Sequence, residues 1–186
     1  MEALAIREFF VKFSLSFSDV LKDHFPLISS SISSALLISH GLRMDASLTF
    51  IFEDDLYVKF FVDRLRYIRP DVQSTYGVFR KIASAIVGKS FRRHHILSGI
   101  VVGYGSFKRL LGGGNFFFYD PRGIRLASAP FTRRFKFVMG FPSLPMEDIH
   151  FLRVLGGVPV NVSLKYKSPS SIILLVHNYC DNLWRR

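Results

Sequence analysis

Apolar side chains recur at every second position in several short segments of this chain, which is the pattern of half-buried strands. The clearest examples lie in the last third, over 135–139 and 158–162, and Gly140 breaks the first of them. Five further segments of strand-forming composition predict strands at 4–15, 48–52, 56–61, 96–102 and 116–119. Between strands, the acidic triplet 53–55 and the Asp-Pro-Arg-Gly segment 120–123 predict turns.

Apolar residues at helical spacing predict helices between these strands. The predicted helices are 26–40, 71–87, 106–111, 145–155 and 170–184. Asp71 suits a helix N-cap, and Pro145 suits a first helical position. The segments 17–25 and 88–95 are interpreted as a polar and a basic turn. Because strands and helices alternate throughout, we predict one α/β domain over 1–186, with a mostly parallel sheet flanked by helices.

The composition limits the partners and the compartment. The 186 residues carry a net charge of +11, so polyanions are the expected partners, with nucleic acid first. No apolar run reaches the length of a membrane span, and the N-terminus lacks the pattern of a signal peptide. The single cysteine, Cys180, excludes an intramolecular disulfide and a cysteine-based metal site. We therefore expect a cytoplasmic protein that binds neither membrane nor metal.

A ligand site is suggested where the last two strands end. The strand-to-loop transitions near Gly140 and Val162 each precede a helix. Such transitions leave backbone donors and acceptors free at the carboxyl ends of the strands, the usual ligand position in an open α/β sheet. A βαβ packing unit without a ligand fits the same pattern, so the residues leave both readings open.

Two Arg-x-Asp patterns, Arg43 with Asp45 and Arg69 with Asp71, lie at predicted helix boundaries. They could be helix caps and surface ion pairs. Alternatively, the arginines could hold phosphates bidentately while a carboxylate accepts a proton. The sequence does not choose between these roles. His177 lies in an apolar helix, where a histidine is more often a core or interface residue than a catalyst.

Four motifs together resemble one family. They are the segments SHGLRxD at 39–45, RPDxxS at 69–74, FVMG at 137–140 and VHNxxD at 176–181. Their order and spacing are similar to those of the archaeal tRNA pseudouridine-N1 methyltransferases of the SPOUT superfamily. The resemblance extends from about residue 7 to 182. It implies a SPOUT fold, a C-terminal trefoil knot over about 135–182, a homodimer, and S-adenosylmethionine bound in the knot.

The resemblance also implies roles for individual residues. The cofactor would be held by Tyr119, Gly140, Val162, Ser163, Leu164, Lys165, Tyr166, Lys167 and Ile172. The RNA would be held by Arg43, Arg69, Lys89, Arg92 and Arg93. Asp45 and Asp71 are the candidates for the catalytic carboxylate. The chain departs from the family at Phe141-Pro142, where Asp-His usually follows the glycine, and at Ile172, where cysteine is common.

The implied reaction is methyl transfer to N1 of pseudouridine in the TΨC loop of tRNA. N1 of the free base bears a proton, so a carboxylate or the electrostatic field of the phosphates must help to remove it as the methyl group moves. Three alternatives stay open. One is the same chemistry on a pseudouridine of ribosomal RNA, and another is a non-catalytic RNA-binding homodimer of the same fold. The third is a basic structural protein without a cofactor site.

Overall fold

The computed structural model of the chain describes residues 7–39, 41–66, 71–87, 93–162, 165 and 168–184. Its strands are β1 Arg7–Phe13, β2 Leu37–Ile38, β3 Gly41–Leu42, β4 Ala46–Ile51, β5 Leu56–Phe61, β6 Arg93–Leu97, β7 Ile100–Tyr104, β8 Phe116–Arg125, β9 Phe135–Phe141 and β10 Val158–Asn161. Its α-helices are α1 Phe17–Asp23, α2 Phe25–Leu36, α3 Val72–Val87, α4 Phe107–Leu111, α5 Met146–Val154 and α6 Pro169–Trp184. Short 3-10 turns lie at Val62–Arg64 and Leu126–Ser128.

Within the described ranges, eight strands form one sheet in the order β10-β8-β9-β1-β4-β5-β7-β6, and β2 pairs with β3 separately. The strands from β10 to β4 are parallel, as predicted. The strands β5, β7 and β6 continue the sheet in antiparallel pairs. Short connections explain two of these pairs, β4 with β5 and β6 with β7, because turns as short as 53–55 can join only antiparallel neighbours.

The prediction of one strand over 96–102 is wrong. The segment contains the turn of a hairpin, with β6 and β7 joined through Ser98 and Gly99. Gly99 has a φ of +80°, and a Cβ atom there would collide with the backbone of Leu65. The turn therefore requires glycine. The predicted basic turn at 88–95 falls partly outside the described residues, and its last three residues belong to β6.

The predicted polar turn at 17–25 is also wrong, because most of it forms α1. Ser16 caps this helix: its Oγ accepts a hydrogen bond from the Asp19 amide at 3.2 Å. Phe17 and Val20 are the buried residues of α1. With so few apolar positions in a seven-residue helix, the helical period is hard to detect in the sequence.

Alternate side chains of β1 enter two separate cores. Phe9, Val11 and Phe13 pack in the larger core, which also contains residues of α1, α2, α3 and α6. Phe10 packs in the smaller core with residues of α4 and α5. The parallel part of the sheet is thus covered by helices on both faces, which explains why Phe9, Phe10 and Val11 are consecutive apolar residues and are all buried.

The strand β8 contains an excursion where the sequence predicts a turn. Its pairing with β10 passes from Phe118 directly to Ile124, so 119–123 lie between two paired segments. The excursion is fixed locally, because the Arg122 amide donates to Asp120 Oδ1 at 2.9 Å. Asn161 Nδ2 also donates to the carbonyl of Pro121 at 3.0 Å. The chain therefore bulges at 120–123 without reversing its direction.

Candidate functional site

The carboxyl ends of the parallel strands gather several of the predicted cofactor residues. Tyr119 follows Phe118, the last residue of β8 that pairs with β9, and Gly140 lies beside Lys12 of β1. Val162 directly follows β10. We call this the carboxyl edge of the sheet. Lys165 is described and exposed, whereas Ser163, Leu164, Tyr166 and Lys167 lie outside the described residues.

Helix α6 begins at the carboxyl edge and runs back along the sheet. Its C-terminal half lies near the amino ends of the strands, since His177 contacts Arg7 and the ring of Trp184 lies 6.3 Å from that of Phe135. Its first turn contains the buried Ile172. Ser168 Oγ accepts a hydrogen bond from the Ser171 amide at 3.3 Å and so caps the helix. The positive end of the α6 dipole therefore lies at this edge, where it favours a negatively charged group.

Gly140 is held against its own loop. A Cβ atom at this position would collide with the backbone of Ser143 and Leu144. The chain after β9 therefore folds back tightly over Gly140, and glycine is required for this approach. A larger residue here would displace the loop itself, so its effect on a ligand would be indirect.

Tyr119 provides a buried donor at the carboxyl edge. Among the described residues, Tyr119 Oη is a buried polar atom without a hydrogen-bond partner. Burial, with the negative charge of Asp120, raises the pKa of this hydroxyl above its ordinary value. The phenol therefore stays protonated and can donate to a bound molecule. A buried polar atom without a partner is costly, which favours a ligand acceptor at this place.

A buried ion pair fixes the chain next to Gly140. Lys12 Nζ donates to the carboxylate of Asp148 and lies 5.1 Å from the ring of Phe107. Asp148 is 3% exposed, and its amide donates to the carbonyl of Pro145 at 3.1 Å. The pair ties α5, and hence the loop after Gly140, to β1. A lysine inside an otherwise apolar strand is the sequence signal of such a buried partner, but the sequence does not identify Asp148.

The opposite end of the sheet contains a cluster of charged residues. Arg43 makes a two-pronged contact with Asp181, with both N···O distances at 3.0 Å. Arg7 Nη1 donates to Asp181 Oδ1 at 2.7 Å, and Arg7 Nη2 lies 3.3 Å from Asp45 Oδ2. Arg7 is 4% exposed. This amino-edge cluster, which consists of Arg7, Arg43, Asp45, His177 and Asp181, joins β1, the loop before β4, and α6.

His177 is a neutral member of the amino-edge cluster. Its Nε2 lies 3.1 Å from the carbonyl of Ala35, and its Nδ1 lies 2.9 Å from Arg7 Nη1. The carbonyl can only accept and the guanidinium can only donate, so the proton is on Nε2. Burial, with the charges of Arg43 and Arg7, lowers the pKa of His177 to about 3. This geometry is that of a satisfied core histidine.

The strand register places Asp45, a predicted catalytic residue, far from Gly140, a predicted cofactor residue. Ala46 pairs with Arg7, which pairs with Phe135, whereas Gly140 lies five residues further along β9. Asp45 precedes Ala46, so it lies six residues from the level of Gly140, or about 20 Å at ~3.3 Å per residue. Within one chain, the fold does not bring Asp45 to the predicted cofactor residues.

The remaining predicted residues are placed as follows. Asp71 caps α3, since its Oδ1 accepts from the Ser74 amide at 2.6 Å. Arg43 is held by Asp181 in the amino-edge cluster. Arg93 begins β6, whereas Arg69, Lys89 and Arg92 lie outside the described residues.

The described ranges contain no group of three or more residues able to hold a metal ion, and none of their helices has the length and apolarity needed to cross a membrane.

Comparison with known proteins gives a match in structure but not in sequence. No protein-family profile matches the chain, and no curated protein matches it. The crystal structure of Archaeoglobus fulgidus Nep1 bound to S-adenosylhomocysteine superimposes with a TM-score of 0.62. The match covers 97% of this chain and 99% of that chain, at 11% identity. This chain has the fold of Nep1.

The Nep1 match confirms the fold class expected from the four motifs, a SPOUT fold with a mostly parallel sheet flanked by helices. It extends over almost the full length of both chains, so the excursion in β8 and the antiparallel strands are part of the compared region. The trefoil knot stays a prediction from the resemblance. The same holds for the homodimer and for the individual cofactor and RNA contacts.

Proposed function

We propose that this chain is an S-adenosylmethionine-dependent RNA methyltransferase that acts on N1 of pseudouridine. The observation that carries the proposal is the full-length fold match to Nep1, a protein crystallised with S-adenosylhomocysteine, the demethylated form of that cofactor. The motif order supports the same assignment. The TΨC loop of tRNA is the substrate that the resemblance favours, and ribosomal RNA is the alternative.

The carboxyl edge has groups that fit the cofactor. S-adenosylmethionine would supply an activated methyl group. Tyr119 Oη would donate to one of its oxygen or nitrogen acceptors, which would satisfy a buried donor that has no partner among the described residues. The positive end of α6 would favour the carboxylate of its amino-acid part. Gly140, Val162 and Ile172 would form the wall of the site, and Lys12 with Asp148 would hold the loop beside it.

The RNA would be held by the basic surface of the chain. A net charge of +11 suits a polyanion whose phosphates are contacted mainly by lysine and arginine. Asp45 lies about 20 Å along the strands from the level of Gly140. Asp71 is the other candidate carboxylate, and we propose it as the proton acceptor for N1 to be tested first.

The first test of this proposal is calorimetric titration of the purified chain with S-adenosylmethionine and S-adenosylhomocysteine. We expect saturable binding of about one molecule per chain. Tyr119→Phe should weaken binding about five- to tenfold, the size expected for one hydrogen bond. Tyr179→Phe is the matched control, because its hydroxyl donates to the carbonyl of Ala127 and not to the site. The absence of binding in a folded sample would refute the cofactor proposal.

The second test is methyl transfer from labelled cofactor to two RNAs. One is a tRNA transcript with pseudouridine in the TΨC loop, and the other is a ribosomal RNA fragment with one pseudouridine. The same RNAs with uridine at that position are the matched controls. Transfer to the tRNA supports the favoured substrate, and transfer to the ribosomal fragment alone supports the alternative.

A non-catalytic RNA-binding protein is the second candidate. Within one chain, the distance between Asp45 and the carboxyl edge favours it, because one of the two predicted bases then lies about 20 Å from the level of Gly140. This candidate predicts RNA binding that weakens steeply with salt and no methyl transfer to any of the four RNAs.

A further inference from the structure

A groove of about 480 Å³ opens between α1 and α3, and the proposed reaction does not use it. Its apolar wall consists of Phe17, Leu21, Leu56, Ala83 and Ile86. We call it the α1–α3 groove. Its volume is within the range of about 300–1,000 Å³ that small-ligand sites occupy. Such a volume with an apolar wall can hold a planar ring system.

Two tyrosines place their rings at this groove while remaining open to solvent. Tyr76 is 43% exposed and Tyr104 is 46% exposed, and both line the groove. Tyr76 also packs edge to face on Phe25, with the ring centroids 5.1 Å apart, which holds its ring in place. Aromatic rings fixed in this way are the usual stacking partners of unpaired nucleobases.

The groove is lined by charges of both signs. Asp54 of the β4–β5 turn and the exposed Lys22 of α1 both line it. On the other side, α3 carries the exposed Arg80 and Lys81 next to the lining residues. A phosphate would therefore be attracted to Lys22 and to the α3 cations, and repelled by Asp54. A carboxylate such as Asp54 would instead accept hydrogen bonds from the amino groups of a base.

The groove lies at the same end of the sheet as the proposed cofactor site. A chain of ring contacts joins them: Phe17 to Phe52 at 5.2 Å, Phe52 to Phe13 at 5.3 Å, and Phe13 to Phe141 at 6.0 Å. The strand residues of the groove are Leu56 of β5 and Tyr104 of β7, which lie three and four strand spacings from β9, or about 14 and 19 Å. One RNA strand could therefore reach both sites within a few nucleotides.

We propose that the α1–α3 groove binds an unpaired nucleobase with an exocyclic amine, from the same RNA whose target base reaches the cofactor site. The base stacks on the ring of Tyr76, its amine donates to Asp54, and its phosphate lies toward Lys22. Cytosine has this amine and uracil lacks it, so the groove selects against uracil. The inference rests on the proposed function for the identity of the RNA, but the base pocket can be tested separately.

The first test uses nucleotide monophosphates as probes. The full chain is titrated with CMP and with UMP, and amide chemical shifts are followed by NMR. We expect CMP to bind more tightly than UMP and to shift residues of α1 and α3. Tyr76→Ala should weaken CMP at least tenfold, and Tyr76→Phe should restore it because the ring is retained. Met146→Ala is the control, since Met146 is 71% exposed on α5.

The second test distinguishes a direct hydrogen bond to Asp54 from the electrostatic effect of a nearby negative charge. Asp54→Asn should reduce the preference for CMP over UMP at least threefold. Asp55→Asn removes the same charge one residue away and should leave that preference unchanged. Equal effects of the two substitutions, or equal binding of CMP and UMP to the original chain, would overturn the assignment.

The groove could instead prove to bind a basic amphipathic peptide and no nucleotide, and that result would also overturn the proposal. Titration of the same samples with S-adenosylmethionine tests the cofactor site independently. CMP binding without cofactor binding would contradict only the proposed function. Cofactor binding without CMP binding would contradict only the groove.

Discussion

Individual residues at the amino edge show how buried charge is tolerated in this fold. Arg7 and Arg43 share Asp181, so each buried cation contacts an anion through direct hydrogen bonds. Burial alone would raise the pKa of Asp181, but the hydrogen bonds from Arg43 and Arg7 outweigh it and lower the pKa below its ordinary value. Removal of one partner would leave the others buried with unbalanced charge, which is destabilising.

The pH dependence of stability should reveal the neutral state of His177. Its pKa is about 3 in the folded chain against an ordinary value of 6.5, so the unfolded chain binds the extra proton first. The stability that this difference provides is complete above pH 6.5 and is lost as the pH falls toward 3. We expect the free energy of unfolding to fall by up to about 1.4 kcal/mol per pH unit in this window.

His177→Gln is the informative variant, because an amide can still donate to the carbonyl of Ala35 but does not titrate. Denaturant titrations between pH 6.5 and 4 should show a steeper pH dependence for the original chain than for the variant. Equal slopes would mean that His177 is already protonated in the folded state, which would contradict the assigned hydrogen-bond roles.

At the scale of elements, the sequence predicts those with long apolar periods and misses those set by tertiary contacts. The strands 135–139 and 158–162 and the helices 71–87 and 170–184 are confirmed, since their patterns repeat over enough residues, whereas the helix predicted at 26–40 ends at Leu36 and β2 follows it. The helix α1 was missed because it has two buried residues, and the β6–β7 hairpin was missed because Gly99 alone marks its turn. The amino-edge cluster joins Arg7 to Asp181, which are 174 residues apart, so no local pattern predicts that contact.

The candidate site shows the same division. Tyr119, Gly140, Val162 and Ile172 were assigned by motif, and the parallel register explains why they lie at one end of the sheet. Asp45 was assigned in the same way, yet the register places it at the other end. A motif gives the order of residue types along the chain, but it does not say at which end of the sheet each residue lies.

The helix α3 offers a test that separates a structural from a catalytic role of Asp71. Asparagine caps helices as well as aspartate, so Asp71→Asn should change the free energy of unfolding by less than about 0.5 kcal/mol. Asp71→Ala removes the cap and should cost about 1 kcal/mol. If the carboxylate accepts the N1 proton, Asp71→Asn should lower methyl transfer about 10²- to 10⁴-fold and leave cofactor affinity unchanged. Unchanged turnover would leave Asp71 as a helix cap alone.

At the scale of the whole molecule, the carboxyl edge and the amino edge of the sheet differ in the groups that they contain. The carboxyl edge has a buried donor without a partner among the described residues, a tightly folded glycine loop and the positive end of a long helix. The amino edge has charged groups that form ion pairs with one another, although Arg7 Nε and Arg43 Nε are also buried without a hydrogen-bond partner among the described residues. The first arrangement suits a ligand, and the second stabilises the joint between β1 and α6. Substitutions about 20 Å apart without shared partners are expected to act additively.

That independence can be measured by thermal unfolding of the original chain and of Asp181→Asn. Loss of the shared carboxylate should lower the melting temperature, by about 5 °C for a cost of about 2 kcal/mol in a chain of this size. Cofactor at about 100 times its Kd should stabilise either protein by about 2.7 kcal/mol, and so raise both melting temperatures by about 5–10 °C. Glu53→Gln, an exposed substitution in the β4–β5 turn, is the control for loss of one acidic charge. A much smaller cofactor shift in Asp181→Asn than in Glu53→Gln would show that the amino-edge cluster and the cofactor site are coupled through the sheet, against the separation argued here.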